Sequence, residues 1–422
     1  MNKQKVIIAL FAALIVVVAA ANSAQLDVYS SKTVAVGIRF VRSTFSSRPS
    51  VAEAAATAPV AKTEAGTYLD IANASDYPAD FTPYASTSIW NTRVSAKPAL
   101  LSNSAAIVAA QFPGGRNPAP VRANEAGQFD YNHPRFFAKM TDPVIAVTCT
   151  QYCGAPDNGG TPASIHIPSV AHAAGGNDSH LDVVQPDGTE IMMWGANSAQ
   201  AKSRSGNWSS GQRLSALNVA NCGNIKTSQG WLKTGPAPTA AGYCLNAGIV
   251  TAAELVAGKI DHAIFIVGNC AVGTQYPVQN DASTTQCTSG VGPPLGGREW
   301  YDVPCAKTQA DATLHPWEKA VLCALNVYGG YFGDNSGGGA HFVGGVTPQL
   351  ESEEPWYDFN GVGYVSPFAA LGAQGWYSIR IPQATGSVAG KRWIGADPWN
   401  PAGVDFAAHI HWLAACSAHG AC

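Results

Sequence analysis

Hydrophobic and polar positions alternate most clearly in two stretches of this chain. The first is Ile260-Asp-His-Ala-Ile-Phe-Ile-Val267, an apolar run rich in branched residues and closed by Gly268 and Asn269. It predicts a buried strand. Alternation puts Ile260, His262, Ile264 and Ile266 on one face and Asp261, Ala263, Phe265 and Val267 on the other. Two titratable side chains, Asp261 and His262, therefore open an apolar strand, where each needs a hydrogen bond, a charge or a ligand. The second stretch runs from His180 to Trp194 and reads as a hairpin turning on Pro186-Asp187-Gly188. His180, Asp182 and Val184 share a face of its first strand, and Glu190, Met192 and Trp194 a face of its return strand.

Weaker patterns fill in the rest. Pro143–Cys149, Ala163–Pro168 and Trp300–Val303 read as strands. Ser102–Gln111 reads as a capped helix, and Thr251–Ala257 as a short one with a Thr251/Glu254 capping box. His315–Tyr328 is the best helix, with Trp317, Val321, Leu325 and Tyr328 at helical spacing and Gly329-Gly330 ending it. Ser203–Gly248 and Asn269–Arg298 read as long polar loops. Trp90 and Asn91 suit the closing of one end of the fold. His133 and Arg135 belong to a polar-aromatic stretch able to line a groove. The expected fold is mainly β, a β-sandwich or jelly-roll-like domain with a few short helices and disulfide-stapled loops.

The chain ends and composition refine this picture. Lys3 and Lys5 precede an uncharged apolar run, Val6–Ala21, and then small residues, so 1–24 reads as a signal peptide. A retained anchor is the alternative, although the run is short against the roughly 20 residues a span needs. Residues 25–76 are rich in Ala, Ser and Thr and read as a flexible leader, leaving 77–422 as one functional domain. The ten cysteines fall in near-neighbour couples, 149/153, 222/244, 270/287, 305/323 and 416/422, and an even count in an exported chain favours disulfides. Charged residues are 13% of the chain and the net charge is -3, with no basic stripe, which argues against a nucleic-acid partner. Few charges, many glycines and many aromatics suit a secreted or cell-surface β domain that handles polymers, and equally an inert one. No stable membrane insertion is expected once the signal is cleaved.

The candidate chemistry gathers at strand ends. Hydrolysis of a sugar polymer needs one protonated carboxyl to donate and one ionised carboxylate as nucleophile or base, with aromatics stacking on the rings. Asp178, Asp261 and Asp334 are the acid/base candidates, with His180 and His262 orienting them or meeting substrate. Asp182, Glu190, Trp194, Tyr331 and His341 are the substrate-binding candidates. A polysaccharide lyase would instead use His180 or His262 as base with Tyr328 or Tyr331 as acid. Each residue also has a plainer reading: Asp178 and Asp182 as turn caps, His262 as a satisfied core histidine, Asp334 as part of a turn. No G-x-S-x-G elbow and no H-E-x-x-H occurs, and Ser336–Gly339 lacks the lysine of a phosphate loop. His409-Ile-His411 and His180-Leu-Asp182 have alternate spacing open to a metal, but no metal or cofactor is called for.

Ser88-Ile-Trp-Asn91, the His180–Trp194 hairpin, Gly258-Lys-Ile-Asp-His-Ala263 and Tyr328-Gly-Gly-Tyr-Phe-Gly-Asp334 together resemble a group of secreted bacterial proteins. The resemblance covers roughly 88–341. It implies secretion, a bacterial source and polysaccharide processing, and transfers no catalytic residue. The expectation is a secreted carbohydrate-active enzyme, in the first place a glycoside hydrolase on an extracellular polysaccharide. A non-catalytic glycan-binding or surface structural protein is the alternative, and a lyase the third reading.

Overall fold

The computed structural model describes residues 83–112, 133–153, 160–169, 171–174, 177–202, 206–233, 235–250, 254, 257–268, 270–278, 287, 289–314, 316–335, 347–348, 377–380, 392–395 and 406–415. The signal-like segment, the leader, most of the Thr251–Ala257 helix, His341, Cys416 and Cys422 lie outside them. All the described residues belong to one unit, 59–422.

Strands dominate. In chain order they are β1 (Arg135–Phe137), β2 (Val144–Cys149), β3 (Ser164–His166), β4 (Leu181–Val184), β5 (Thr189–Trp194), β6 (Arg213–Ala216), β7 (Asn218–Asn224), β8 (Ile264–Gly268), β9 (Arg298–Tyr301), β10 (Gly330–Asn335), β11 (Thr347–Pro348), β12 (Tyr377–Arg380), β13 (Arg392–Gly395) and β14 (Ile410–Trp412). The helices are α1 (Ser104–Gln111), α2 (Ala199–Lys202), α3 (Cys305–Ala310), α4 (Pro316–Val327) and α5 (Phe406–His409). The fold is thus sheet-rich with few helices.

The sheets are mixed. The orders are β1-β4-β5-β7, β3-β2-β6, β11-β8-β10-β9-β14 and the pair β12-β13. Parallel pairs join β1 to β4, β2 to β6 and β8 to β10; the other pairings are antiparallel, the β4–β5 hairpin among them. Its turn forms as Pro-Asp-Gly dictates, with Gly188 at φ 85°, a left-handed backbone that glycine adopts without strain.

The hairpin sheet is buried on both faces, and alternation sorts its side chains between two cores. Leu181, Val183, Ile191 and Met193 pack with Ile145, Val147 and Leu214 of the β3-β2-β6 sheet. Val184, Met192, Ala220 and Cys222 pack toward Trp90, Tyr243, Phe265 and Tyr331. Asp182 and Glu190 share the second face by parity with Val184 and Met192, so two carboxyls stand where the pattern demands hydrocarbon.

Trp90 centres that second core. Its ring stacks on Phe265 at 6.2 Å and meets Tyr243 and Tyr331 edge-on at 4.9 and 5.1 Å. Its indole N–H donates to Gly230 O at 3.2 Å, satisfying the polar end of an otherwise apolar payload. Asn91 ties the chain down beside it, donating to the carbonyls of Pro83 and Ala85 at 2.9 and 3.0 Å. Losing such a ring to alanine would cost about 3–5 kcal/mol.

Three features differ from the sequence reading. Ser203–Gly248 contains β6 and β7, because asparagine, glycine and alanine hide strands whose stability comes from pairing and burial rather than propensity. Tyr331–Asn335 belongs to β10, a strand parallel to β8 with an irregularity between Phe332 and Asp334. The apolar run at Ile260 becomes a strand only at Ile264, opposite Gly330, where the partner strand begins. Before that point Ala263 N is engaged by Trp90 O at 2.7 Å. Four disulfides join the expected neighbours, Cys149–Cys153, Cys222–Cys244, Cys270–Cys287 and Cys305–Cys323. No helix among the described residues is long and apolar enough to cross a membrane.

Candidate functional site

The polar face of the β4–β5 hairpin holds the densest buried chemistry among the described residues. Asp182 and Glu190 are both 0% exposed. Register sets Asp182 opposite Met192 and Glu190 opposite Val184, which makes the two acids diagonal neighbours on one face. The charge of Glu190 bears directly on the Asp182 carboxyl. Two neighbouring buried carboxyls disfavour each other's ionisation, which favours the protonated form.

The surrounding groups fix this pair. Glu190 Oε2 accepts from the Tyr84 hydroxyl at 2.8 Å, and Oε1 from the Asn246 backbone N–H at 3.1 Å. The Asn246 side-chain amide donates to Asp182 Oδ2, while its carbonyl oxygen accepts from Arg135 at 3.2 Å. Asp182 Oδ1 meets no conventional donor. Burial, then the neighbouring Glu190 charge, pushes the Asp182 carboxyl well above its ordinary range, with Arg135 opposing. Burial also raises Glu190, against the hydrogen bonds from Asn246 and Tyr84. Tyr84 in turn is held far up by burial and by Glu190. Both carboxyls of the cluster are therefore shifted toward their protonated forms.

Two histidines adjoin it. His133 and His180 meet edge-on at 4.8 Å. His133 Nδ1–H donates to Leu245 O at 3.0 Å and His180 Nε2–H to Pro238 O at 3.2 Å. Burial and the neighbouring His180 push His133 well below the ordinary histidine value, so its ring is neutral. At the far end of the same hairpin, Trp194 donates its indole N–H to Asp178 Oδ1 at 2.9 Å.

The other sequence candidates sit in different surroundings. Asp261 is exposed and ion-paired with Lys259 at 2.5 Å. His262 is buried, with Nε2 at 2.9 Å from Glu254 Oε1 and Nδ1 at 2.9 Å from Ala263 O. Both nitrogens face acceptors, an arrangement that favours the doubly protonated ring. Burial works against that charge, but Glu254 and the Ala263 carbonyl outweigh it and raise the pKa. Tyr331 is fully buried against Trp90, and burial pushes its phenol up to about 12. Asp334 is partly buried just after the β10 irregularity. No hydrogen bond or ion pair joins Asp178 or Asp261 to each other or to Asp334. The fold sets Asp182 and Glu190 as diagonal neighbours on one strand face.

Tyr84 and Asn246 were not legible as site residues. They lie 106 and 56 residues from Glu190, in segments with no periodic signal. A metal has little to hold here. The Cys222 and Cys244 sulfurs and a Glu190 oxygen all lie within 4.8 Å of one another, but the two sulfurs are joined as a disulfide and offer no thiolate. Comparison with protein-family models, curated proteins and solved structures gave no match.

Proposed function

We propose that the chain is an extracellular carbohydrate-active enzyme, in the first place a glycoside hydrolase acting on a polysaccharide, carried on a sandwich-like stack of sheets. The observation that carries this reading is the Asp182–Glu190 pair, two fully buried carboxyls shifted toward their protonated forms on the strand face that ends in Trp194. A general acid must still hold its proton at the working pH. Burial moves both carboxyls in that direction.

Within this proposal the pair acts as one proton-holding unit, as two acids sharing a proton do. The ionised partner then comes from another carboxylate, and Asp178 beside Trp194 is the first to test. The lyase reading gains less support from His262, whose two nitrogens are both taken up by acceptors, and from Tyr331, which is sealed in the core.

A second reading, a glycan-binding module without turnover, is favoured by the complete burial of Asp182 and Glu190. Incubating the protein with a panel of plant and microbial polysaccharides, reading both reducing ends and ultraviolet absorbance, separates the readings. New reducing ends without absorbance, lost about 100-fold or more in folded Asp182→Asn and Glu190→Gln variants, support the hydrolase. Retention on a glycan column without turnover supports the module. Silence in every channel removes the carbohydrate reading.

A further inference from the structure

Tyr152 is held firmly at a place where the core gains little from it. The residue is 51% exposed, yet its backbone is fastened on several sides. It sits inside the short loop closed by Cys149–Cys153. Its N–H donates to Leu217 O at 2.9 Å, and its carbonyl accepts from Asn218 Nδ2 at 2.6 Å. The ring lies 5.6 Å from that of Trp194, inclined at 48°.

Trp194 is fixed in its turn. Its N–H bonds Asp178 Oδ1 at 2.9 Å, and the Asp178 carbonyl accepts from Gly195 N at 2.7 Å, so the aspartate is tied to the strand end that carries the ring. Asp178 Oδ2 has no hydrogen-bond partner among the described residues. Two further features mark the spot. Ser179, next to Asp178, has φ 42°, a left-handed backbone that non-glycine residues rarely adopt and that collects at functional sites. Asn218, paired across from Trp194, leaves Oδ1 buried without a partner, a feature that asks for an explanation in a folded protein.

We propose that Tyr152, Trp194 and Asp178 form a binding subsite for an uncharged pyranose ring, the sugar face lying on the two aromatic rings and its hydroxyls donating to Asp178 Oδ2. The amphipathic rings supply apolar area with little conformational freedom to lose, and the carboxylate oxygen supplies orientation. A quaternary ammonium would also be drawn to aromatic faces beside a carboxylate. Two rings inclined at 48° make a shelf rather than a cage, and one oxygen of Asp178 already serves the indole.

This subsite rests on the carbohydrate reading, and its test separates the two. The full chain and the variants Tyr152→Ala, Trp194→Ala and Trp194→Phe are titrated with neutral oligosaccharides of the polysaccharide that the wild type retains, and with choline. The expected result is about tenfold weaker binding for either alanine variant, a smaller loss for Trp194→Phe, and no response to choline. Tyr152→Ala, being at the surface, should keep the wild-type thermal midpoint. Wild type that binds a glycan as tightly as Tyr152→Ala overturns the subsite and leaves the carbohydrate reading standing. Wild type that binds no glycan overturns both. Binding of choline that is lost in the alanine variants, without glycan binding, replaces the sugar with a cation and also overturns the proposal.

Discussion

Tyr84 and Glu190 stand 106 residues apart in the chain and 2.8 Å apart in the fold, the phenol donating to the carboxyl Oε2. Both groups are buried. Removing the hydroxyl leaves Glu190 Oε2 without that donor in a place water does not reach, while the ring that fills the space remains. Tyr84→Phe should therefore lower the unfolding free energy by about 1–3 kcal/mol, seen as a lower denaturant midpoint with an unchanged slope. The same bond holds the Glu190 pKa down, so its loss should drive that carboxyl further up. A Tyr84→Phe midpoint equal to that of wild type would mean that the bond adds nothing to stability.

Glu299 gives the cleanest acid–base expectation. It is 1% exposed, its Oε2 has no partner, and burial alone pushes it up to about 8. The unfolded carboxyl titrates near roughly 4.3. Between those values the native state holds a proton that the unfolded state has released, so stability is full below the unfolded value and falls as pH rises toward about 8. Glu299→Gln keeps the shape and removes the titration. Its thermal midpoint should exceed that of wild type most at pH 9 and least at pH 5. Parallel curves for the two proteins across that range would show that Glu299 is already satisfied in solution.

The readable part of the fold was the part written in short-range pattern. The hairpin turn, the β2 and β3 strands, α1, α4 and four disulfide couples all follow from periodicity, turn chemistry or spacing. β7 did not, because Asn218, Asn221 and Asn224 give it the look of a loop, and only its ladder to β5 and the burial of Val219, Ala220 and Cys222 make it a strand. The site was legible in halves. His180, Asp182, Glu190 and Trp194 stood out as polar or aromatic positions on an apolar hairpin. Tyr84 and Asn246 reach the carboxyls through tertiary contact, which one sequence does not encode locally. Asp261 looked buried by alternation, but its segment precedes the ladder and the side chain turns to Lys259.

Gly248 tests how tightly Trp90 is seated. Its φ is +67°, and a methyl group there would run into the Trp90 ring and the Phe265 backbone nitrogen. That nitrogen donates to Gly248 O at 2.8 Å, so neither neighbour can withdraw without breaking a bond or the Trp90–Phe265 stack. Gly248→Ala should cost about 2–4 kcal/mol through strain and overpacking. At this chain length that is a fall in thermal midpoint of several degrees. The near-ultraviolet signal of the tryptophans should change with it. An unaltered midpoint would show that the Trp90 pocket has slack.

His262 decides between a structural and a chemical role for the segment leading into β8. With Glu254 at Nε2 and the Ala263 carbonyl at Nδ1, the buried ring is held toward its imidazolium form, its pKa raised above the ordinary 6.5. A histidine raised in the folded state contributes stability that is fully present below about 6.5 and lost as pH rises through the folded value. Glu254→Gln keeps an acceptor and removes the charge. It should lower stability by about 1–3 kcal/mol at pH 6 and by less above the folded pKa, which flattens the alkaline decline. Nitrogen-15 spectra of the histidines should show His262 protonated on both nitrogens at pH 7, whereas His133, held low by burial, remains neutral. If His262 instead proves neutral at pH 7 and Glu254→Gln leaves the pH profile unchanged, the clasp is not the ring's purpose, and His262 returns to contention as a general base.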